Sequence, residues 1–450
     1  MAKKTAVQFV CQQCGVIKSK WSGRCDGCGA WNSFVEQFTE QSATNVVASS
    51  KGRSLQSQSI TKVTPSSSRG RISTRIADMD AVLGGGIVPA SVILIAGQPG
   101  IGKSTLLMQV AQAISATNKV LYVSGEESAG QVKVRSDRLG VEHDELYLAS
   151  STSADDIAAT IKGCGYKLVI VDSIQTLTMN DIASAAGSVG QITNSSNLLT
   201  QAAKATDTAL IMVGHVTKEG SIAGPKILEH MVDVVVNLEG DRYGGFKVLR
   251  AIKNRYGSTD EAGIFEMDDT GLKPVLNPSA ALLEERISSD GSVVFATMEG
   301  NRPLLVEIQA LVNKSYFGYP KRTASGFDLN RLNVLVAVLE RRTKLNLSDS
   351  DIYINVVGGI KLQDPAADLA VCMAIASAAK QMQLDPTAVV FGEVGLSGEV
   401  RSVTNSDRRA SEANKLGFKY VIGPKSTKKH VFIRPVQSLK EALNTYLKKA

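Results

Sequence analysis

A chain of 450 residues, 43% apolar and 21% charged, has enough hydrophobic side chains for several buried cores, which excludes wholesale disorder. The net charge of +7 permits a polyanionic partner without demonstrating one. No apolar run reaches the ~18 residues of a spanning helix, and the start lacks the apolar stretch of a secretory signal, so a cytoplasmic protein with no membrane partner is expected.

The first specific signal along the chain is Cys11-x2-Cys14-x10-Cys25-x2-Cys28, which holds four of the six cysteines. Thiolates two apart on a tight turn converge on one point, and two such knuckles supply a tetrahedral set for Zn2+. Disulfides are disfavoured where no export signal is visible. Four thiolates close the shell, so the zinc is expected to be structural. Residues 1–38 form this module, and Trp21, Trp31 and Phe34 are expected to pack around it, since it is too small for a core of its own. Cys164 and Cys372 lie in apolar surroundings and are expected to be buried. Residues 39–70 turn to Ser, Thr, Gln and Asn without any period, which predicts a flexible linker.

Residues 71–286 read as α/β. Apolar runs at Val92, Val120, Leu168, Leu210 and Val234 alternate with helical stretches, as in a mainly parallel sheet covered on both faces. Between the first such strand and a helical run opening at Thr105 lies Gly97-Gln98-Pro99-Gly100-Ile101-Gly102-Lys103-Ser104. This fits G-x4-G-K-[ST] in the strand–loop–helix setting that motif requires. Backbone N–H groups of the Gly-rich turn would wrap the phosphates of ATP, Lys103 would reach the β- and γ-phosphates, and Ser104 would hold Mg2+. Asp172 ends the strand Leu168-Val-Ile-Val-Asp, where a carboxylate faces the phosphate crevice and can orient Mg2+; it could instead cap a following helix. Glu126 and Glu127 follow the strand Leu121-Tyr-Val-Ser, which is expected beside the phosphate-loop strand. Either carboxylate could polarise an attacking water.

Residues 287–450 show a mixed α+β pattern, with an amphipathic helix around Arg331 to Arg342 and an Ala-rich helix beginning near Pro365. Lys314, Lys321, Arg322, Arg331, Arg341, Arg342 and Lys344 crowd one stretch, with Tyr316, Phe317 and Tyr319 interleaved. Such a set suits phosphates and unpaired bases, and equally a solvated helix face over core aromatics.

These motifs, with Leu83-Gly-Gly-Gly-Ile-Val-Pro, Gly125-Glu-Glu-Ser and Lys253-Asn254-Arg255-Tyr256-Gly257, resemble the RadA (Sms) family of bacterial DNA repair and recombination proteins over nearly the whole length. Tyr256 stands where that family more often has Phe. The resemblance implies a RecA-like ATPase core between a zinc module and a Lon-protease-like domain. It implies a ring-forming, hexameric motor on single-stranded and branched DNA, driving branch migration together with RecA. It favours Glu126 over Glu127 as the catalytic glutamate, and gives His215 the place of a γ-phosphate-sensing residue, though a hydrogen-bonded strand end would also explain a His there. Lys253 and Arg255, two apart on an extended segment, share a side and could reach one anion. In similar replicative helicases such a Lys-x-Arg points at the neighbouring subunit's γ-phosphate; a basic surface strand is the alternative. Gly257 would allow the turn that follows.

The last block resembles the proteolytic domain of Lon through Asp351-Ile-Tyr-Ile-Asn-Val-Val-Gly-Gly and Gly392-Glu-Val-Gly-Leu-Ser-Gly-Glu. That alignment puts Ala366 at the nucleophile and Asp407 near the Lys base. A methyl group cannot attack a carbonyl, so a scaffold is expected rather than a protease. A nucleotide-switched DNA-binding adaptor remains the other alternative to a motor.

Overall fold

The structure, a computed structural model, describes residues 6–11, 13, 16–18, 20–31, 33–39, 59, 61, 70–215, 227–240, 246–315, 318–425 and 432–449. Cys14, Tyr316, Phe317 and nearly all of the expected linker lie outside the described residues. No described helix is long and apolar enough to cross a membrane.

The N-terminal module is a three-stranded antiparallel sheet of β1 (Ala6–Cys11), β2 (Ile17–Lys18) and β3 (Phe34–Thr39), in the order β2-β1-β3. Its small core consists of Cys11, Cys25 and Phe34, with Phe9 and Val16 packed against them. The expectation for the tryptophans fails: Trp21 is 57% and Trp31 73% exposed. Thiols and one phenylalanine already fill the interior, which leaves no room for two indoles.

The ATPase block is built on six parallel strands: β4 (Val92–Gly97), β5 (Val120–Ser124), β6 (Leu146–Ser150), β7 (Leu168–Asp172), β8 (Ala209–His215) and β9 (Val234–Gly240). Their spatial order is β9-β4-β8-β7-β5-β6. Strands β4, β5 and β7 are buried residue for residue, because helices cover both faces and every side chain must be apolar. Those helices include α2 (Lys103–Ser115), α3 (Ala129–Arg138), α4 (Ala154–Cys164) and α5 (Val189–Ala205), with a short α1 (Ala77–Val82) ahead of β4. The expected neighbourhood of β5 and β4 is corrected: β8 and β7 lie between them. An apolar run announces burial, not the identity of its neighbour. Cys164, at the end of α4, is exposed rather than buried, whereas Cys372 is buried as expected.

A short helix α6 (Ile227–Met231) precedes β9, and β10 (Lys247–Asn254), β11 (Ala262–Asp268) and β12 (Gly271–Pro274) extend the sheet beyond it. The chain forms two compact units, one of residues 1–238, 251–258 and 269–272, the other of residues 239–250, 259–268 and 273–450. The division between the units runs through β10 and β12.

The second unit contains α7 (Pro278–Leu283) and strands β13 (Ser292–Glu299), β14 (Arg302–Lys314), β15 (Arg322–Ser325) and β16 (Ser350–Val356). With β18 (Ala388–Val390), β21 (Tyr420–Gly423) and β22 (Ile433–Pro435) these form one sheet, ordered β15-β16-β14-β13-β18-β21-β22. Two small strand pairs complete it: β17 (Gln383–Leu384) with β23 (Leu447–Lys448), and β19 (Glu393–Val394) with β20 (Val400–Arg401). Its helices are α8 (Leu329–Thr343), α9 (Asp368–Lys380), α10 (Ser406–Lys415) and α11 (Leu439–Tyr446). Helix α9 is buried from Asp368 to Ser377, which accounts for its Ala-rich sequence. Ala366 is fully buried in the turn before α9, and Asp407 lies in the first turn of α10. The buried Arg409 clamps these two segments. It pairs with Asp364 Oδ2 at 2.6 Å and donates to the Ala296 and Thr404 carbonyls at 2.5 and 3.0 Å. Asp364 in turn accepts from the Ala366 amide at 3.0 Å.

Candidate nucleotide and zinc sites

The parallel register brings the chemistry to one edge of the sheet. Gly97 lies opposite His215, and Ser124 opposite Asp172, all four at the carboxyl ends of their strands, while on its other side Gly97 faces Leu238 within β9. A Cβ at Gly97 would stand 2.6 Å from the Leu238 carbonyl oxygen, so only glycine lets β9 approach here. Gly100 and Gly102 take φ of +80° and +114°, turning the loop into the start of α2. Lys103, nearly buried, folds back and donates to the carbonyls of Gly97 at 2.8 Å and Gln98 at 3.0 Å. Burial pulls its pKa below the ordinary lysine value, against the opposing charges of Asp172 and Glu126.

A chain of polar contacts continues from Lys103. Its Nζ is 3.4 Å from His215 Nδ1, and His215 Nε2 is 3.3 Å from Glu126 Oε1. The Ser173 hydroxyl donates to the same Glu126 oxygen at 2.5 Å. Burial pushes the Glu126 pKa up, but Ser173, His215 and Lys103 together outweigh it and hold the carboxyl below its ordinary value. Glu127 points elsewhere, into an ion pair with Arg135. Asp172 does not cap a helix; its Oδ2 accepts from the Tyr122 hydroxyl at 2.6 Å. Tyr122 also hydrogen-bonds with Ser104, and burial followed by Asp172 raises its pKa well above the usual phenol value. One hydroxyl therefore touches both the Ser and the Asp, so these two converge on one point with the oxygen chemistry Mg2+ prefers. Tyr122 and Ser173 are absent from any motif. Their role depends on side chains distant in sequence, and a Tyr within an apolar strand reads as core.

The pentapeptide is anchored within the first unit. Lys253 donates to the carbonyls of Glu229 at 2.7 Å and Val232 at 2.8 Å, at the end of α6, where a cation complements the helix dipole. Burial, then the neighbouring Arg255, lowers its pKa. Asn254 donates to the Val82 carbonyl at 3.2 Å and accepts from the Tyr256 amide at 2.9 Å. Arg255, 56% exposed, contacts Asp233 Oδ1 at 3.4 Å. Asp233 is a buried hub that the sequence did not reveal: its Oδ2 accepts from the Val92 amide at 3.0 Å, and Lys204 lies 3.7 Å from its Oδ1. Gly257 is explained by close approach rather than by a turn, because a Cβ there would stand 2.9 Å from Gly84 Cα.

In the N-terminal module the sulfurs of Cys11, Cys25 and Cys28 lie within 4.8 Å of one another, with Cys11 and Cys28 3.7 Å apart. Tetrahedral Zn–S bonds of ~2.3 Å require sulfurs ~3.8 Å apart, so the thiolates fit zinc. Cys11 and Cys25 are buried, and Gly29 at φ +74° closes the second knuckle by donating to the Cys25 carbonyl at 2.8 Å.

Of the basic cluster, Lys314, Lys321, Arg341, Arg342 and Lys344 are exposed and Arg322 is half-buried. Arg331 is drawn inward instead, into an ion pair with the buried Asp368, and donates to the Val394 carbonyl at 3.2 Å.

A phosphate loop on a parallel sheet, carboxylates at the strand ends and an appended thiolate cluster define a P-loop ATPase with a zinc ribbon. The comparisons with known proteins agree block by block. The AAA domain family matches residues 58–221, the rubredoxin metal binding domain 9–36, and the ChlI subunit of Mg-chelatase 330–427. A "DNA repair protein RadA" from Halalkalibacterium halodurans is 50% identical over 429 residues, 94% of this chain and 93% of that one. Those of Bacillus subtilis and Listeria monocytogenes are 48% and 45% identical, each covering 99% of this chain, and 99% and 100% of their own. The chain belongs to the RadA family of DNA repair proteins. It binds ATP through its AAA domain and zinc through its cysteine cluster, and its C-terminal domain is of the ChlI and Lon-like type.

Proposed function

We propose that this ATPase is a DNA-dependent, ring-forming motor, hexameric in its working state, which processes branched recombination intermediates together with RecA in the cytoplasm. The observation that carries this reading is the division of labour around Arg255. Among the described residues, the polar contacts of Lys253 and Arg255 run to α6 and Asp233, not to Lys103, Glu126 or Asp172 of their own chain. An exposed Arg whose contacts within its own chain lie away from the phosphate loop suits a finger offered to a neighbour.

In this reading Lys103 leaves the Gly97 and Gln98 carbonyls for the β- and γ-phosphates. Glu126, kept ionised by Ser173 and His215, orients the attacking water. Ser104 and Asp172 would hold Mg2+, which when bound would supply positive charge beside the phosphate oxygens. Ala366 and Asp407 support no peptide hydrolysis, so the Lon-like domain is a scaffold. Its exposed Lys314, Lys321, Arg341, Arg342 and Lys344, with the half-buried Arg322, are the proposed DNA surface, without Arg331.

The test is subunit complementation. Arg255→Ala should bind ATP yet lose about 10³-fold in turnover. Co-assembly with Lys103→Ala chains should restore partial activity, because some interfaces then pair an intact loop with an intact finger. Co-assembled mixtures as inactive as their parents, with no crosslink from Arg255 to a neighbour's ATP analogue, would refute the trans role and leave the nucleotide-switched adaptor.

A further inference from the structure

The chain has only two tryptophans, and the structure exposes both on the zinc ribbon. Indoles bury more apolar area than any other side chain, so leaving both in water has a cost that packing does not explain. The core of the module is complete without them. We propose that Trp21 and Trp31 form a stacking platform for unpaired nucleobases, with Arg24 and Lys20 beside them for the phosphates.

The local geometry supports this. Trp31 lies directly opposite Arg24 in an antiparallel bridge, and the guanidinium carbon is 5.9 Å from the ring centroid. Arg24 is oriented by its own knuckle, since its Nε donates to the Gly29 carbonyl at 3.3 Å, and the zinc ligand Cys25 is the next residue. Trp21 lies over Gly23, whose missing side chain leaves the ring edge within 3.7 Å of where a Cβ would be. Charge then selects the occupant. Lys20 and Arg24 are exposed, and Asp26, the acid nearest in sequence, is engaged by Lys18 at 2.5 Å. Lysine is depleted at the centre of protein–protein interfaces, yet the exposed Lys20 stands next to Trp21. Aromatic faces edged by cations instead match single-stranded nucleic acid, where every base offers a π-face and every linkage a phosphate.

This rests on the reading of DNA as partner, and the experiment separates the two. Because both tryptophans are on the ribbon, the emission of the full-length protein reports on this module alone. Oligo-dT should quench that emission, whereas an abasic strand of the same length and a blunt duplex should quench it less. Anisotropy of the labelled strand measures binding independently. Trp21→Ala and Trp31→Ala should each weaken oligo-dT binding at least about fivefold. Trp31→Phe should keep most of the affinity, and zinc content and turnover without DNA should stay at the parent's level. If anisotropy reports tight binding while emission is unmoved and the Ala variants bind like the parent, the platform is refuted, DNA is held elsewhere, and the exposed indoles await a protein. If anisotropy reports no binding, the platform and the DNA reading fall together. Should an Ala variant lose zinc, the quenching of the parent by oligo-dT against the abasic strand still decides.

Discussion

Replacing Ser173 by Ala would remove one hydrogen bond from the candidate water-activating carboxylate. The hydroxyl is fully buried and donates to Glu126 Oε1 at 2.5 Å, and Ala leaves behind no unsatisfied donor, only a small void. A hydrogen bond to a charged group contributes about 1.5–3 kcal/mol. Glu126 is 46% exposed, so water compensates part of the loss and the low end applies, about 1.5 kcal/mol or about tenfold in rate. The sign in pH follows from the same contact. Ser173 helps to hold the Glu126 carboxyl below its ordinary value, so its removal raises that pKa. At a given acidic pH fewer molecules then carry the carboxylate, and the acid limb of the turnover profile moves to higher pH. The assay is phosphate release at saturating ATP, followed from acid to neutral pH, with affinity for a fluorescent ATP analogue as control. That affinity should be unchanged, because Ser173 makes no hydrogen bond to residues 97–104. A Ser173→Ala enzyme with the parent's turnover and an unmoved acid limb would refute the assignment of Glu126 as the group that orients water.

Two further outcomes follow from the packing. Cys25→Ser should abolish zinc binding in metal analysis and unfold the ribbon, since its core is built on the ligands, while the thermal transition of the ATPase block persists. Arg409→Met should leave Asp364 without its cation inside the Lon-like unit and cost about 3–5 kcal/mol, visible as a lowered melting temperature. Adding Asp364→Asn should recover part of that loss, whereas purely additive losses would show that the pair is not coupled.

The parts of this molecule legible in the sequence are those written in contiguous residues. The runs at Val92, Val120, Leu168, Leu210 and Val234 mark the buried parallel strands, because a strand covered on both faces must be apolar throughout. The phosphate loop and the cysteine knuckles are spaced motifs and are equally plain. Strand β6 escapes, since Tyr147 and Leu148 are exposed at the sheet edge and its pattern reads as surface. Strand order escapes as well, because nothing in Leu121-Tyr-Val-Ser states that two strands separate it from β4. Tyr122, Ser173, Asp233 and Arg409 act on partners far along the chain, so no window of sequence contains both halves of their contacts. The exposed tryptophans run against the general habit of aromatic residues, and nothing in the local sequence shows that Cys11, Cys25 and Phe34 form the ribbon's core without them.

Asp233 divides its two carboxylate oxygens between distant tasks. One oxygen holds the amide of Val92, the first residue of the strand that ends in the phosphate loop, and the other meets Arg255. If Arg255 is the finger proposed above, this residue would join it to the strand that carries the chain's own phosphate loop. Linkage is reciprocal: if drawing Arg255 away changes how firmly Val92 is held, then filling the phosphate loop must change how readily Arg255 departs, by the same free energy. In a closed assembly that one carboxylate would let each chain pass word of its own occupancy to the next.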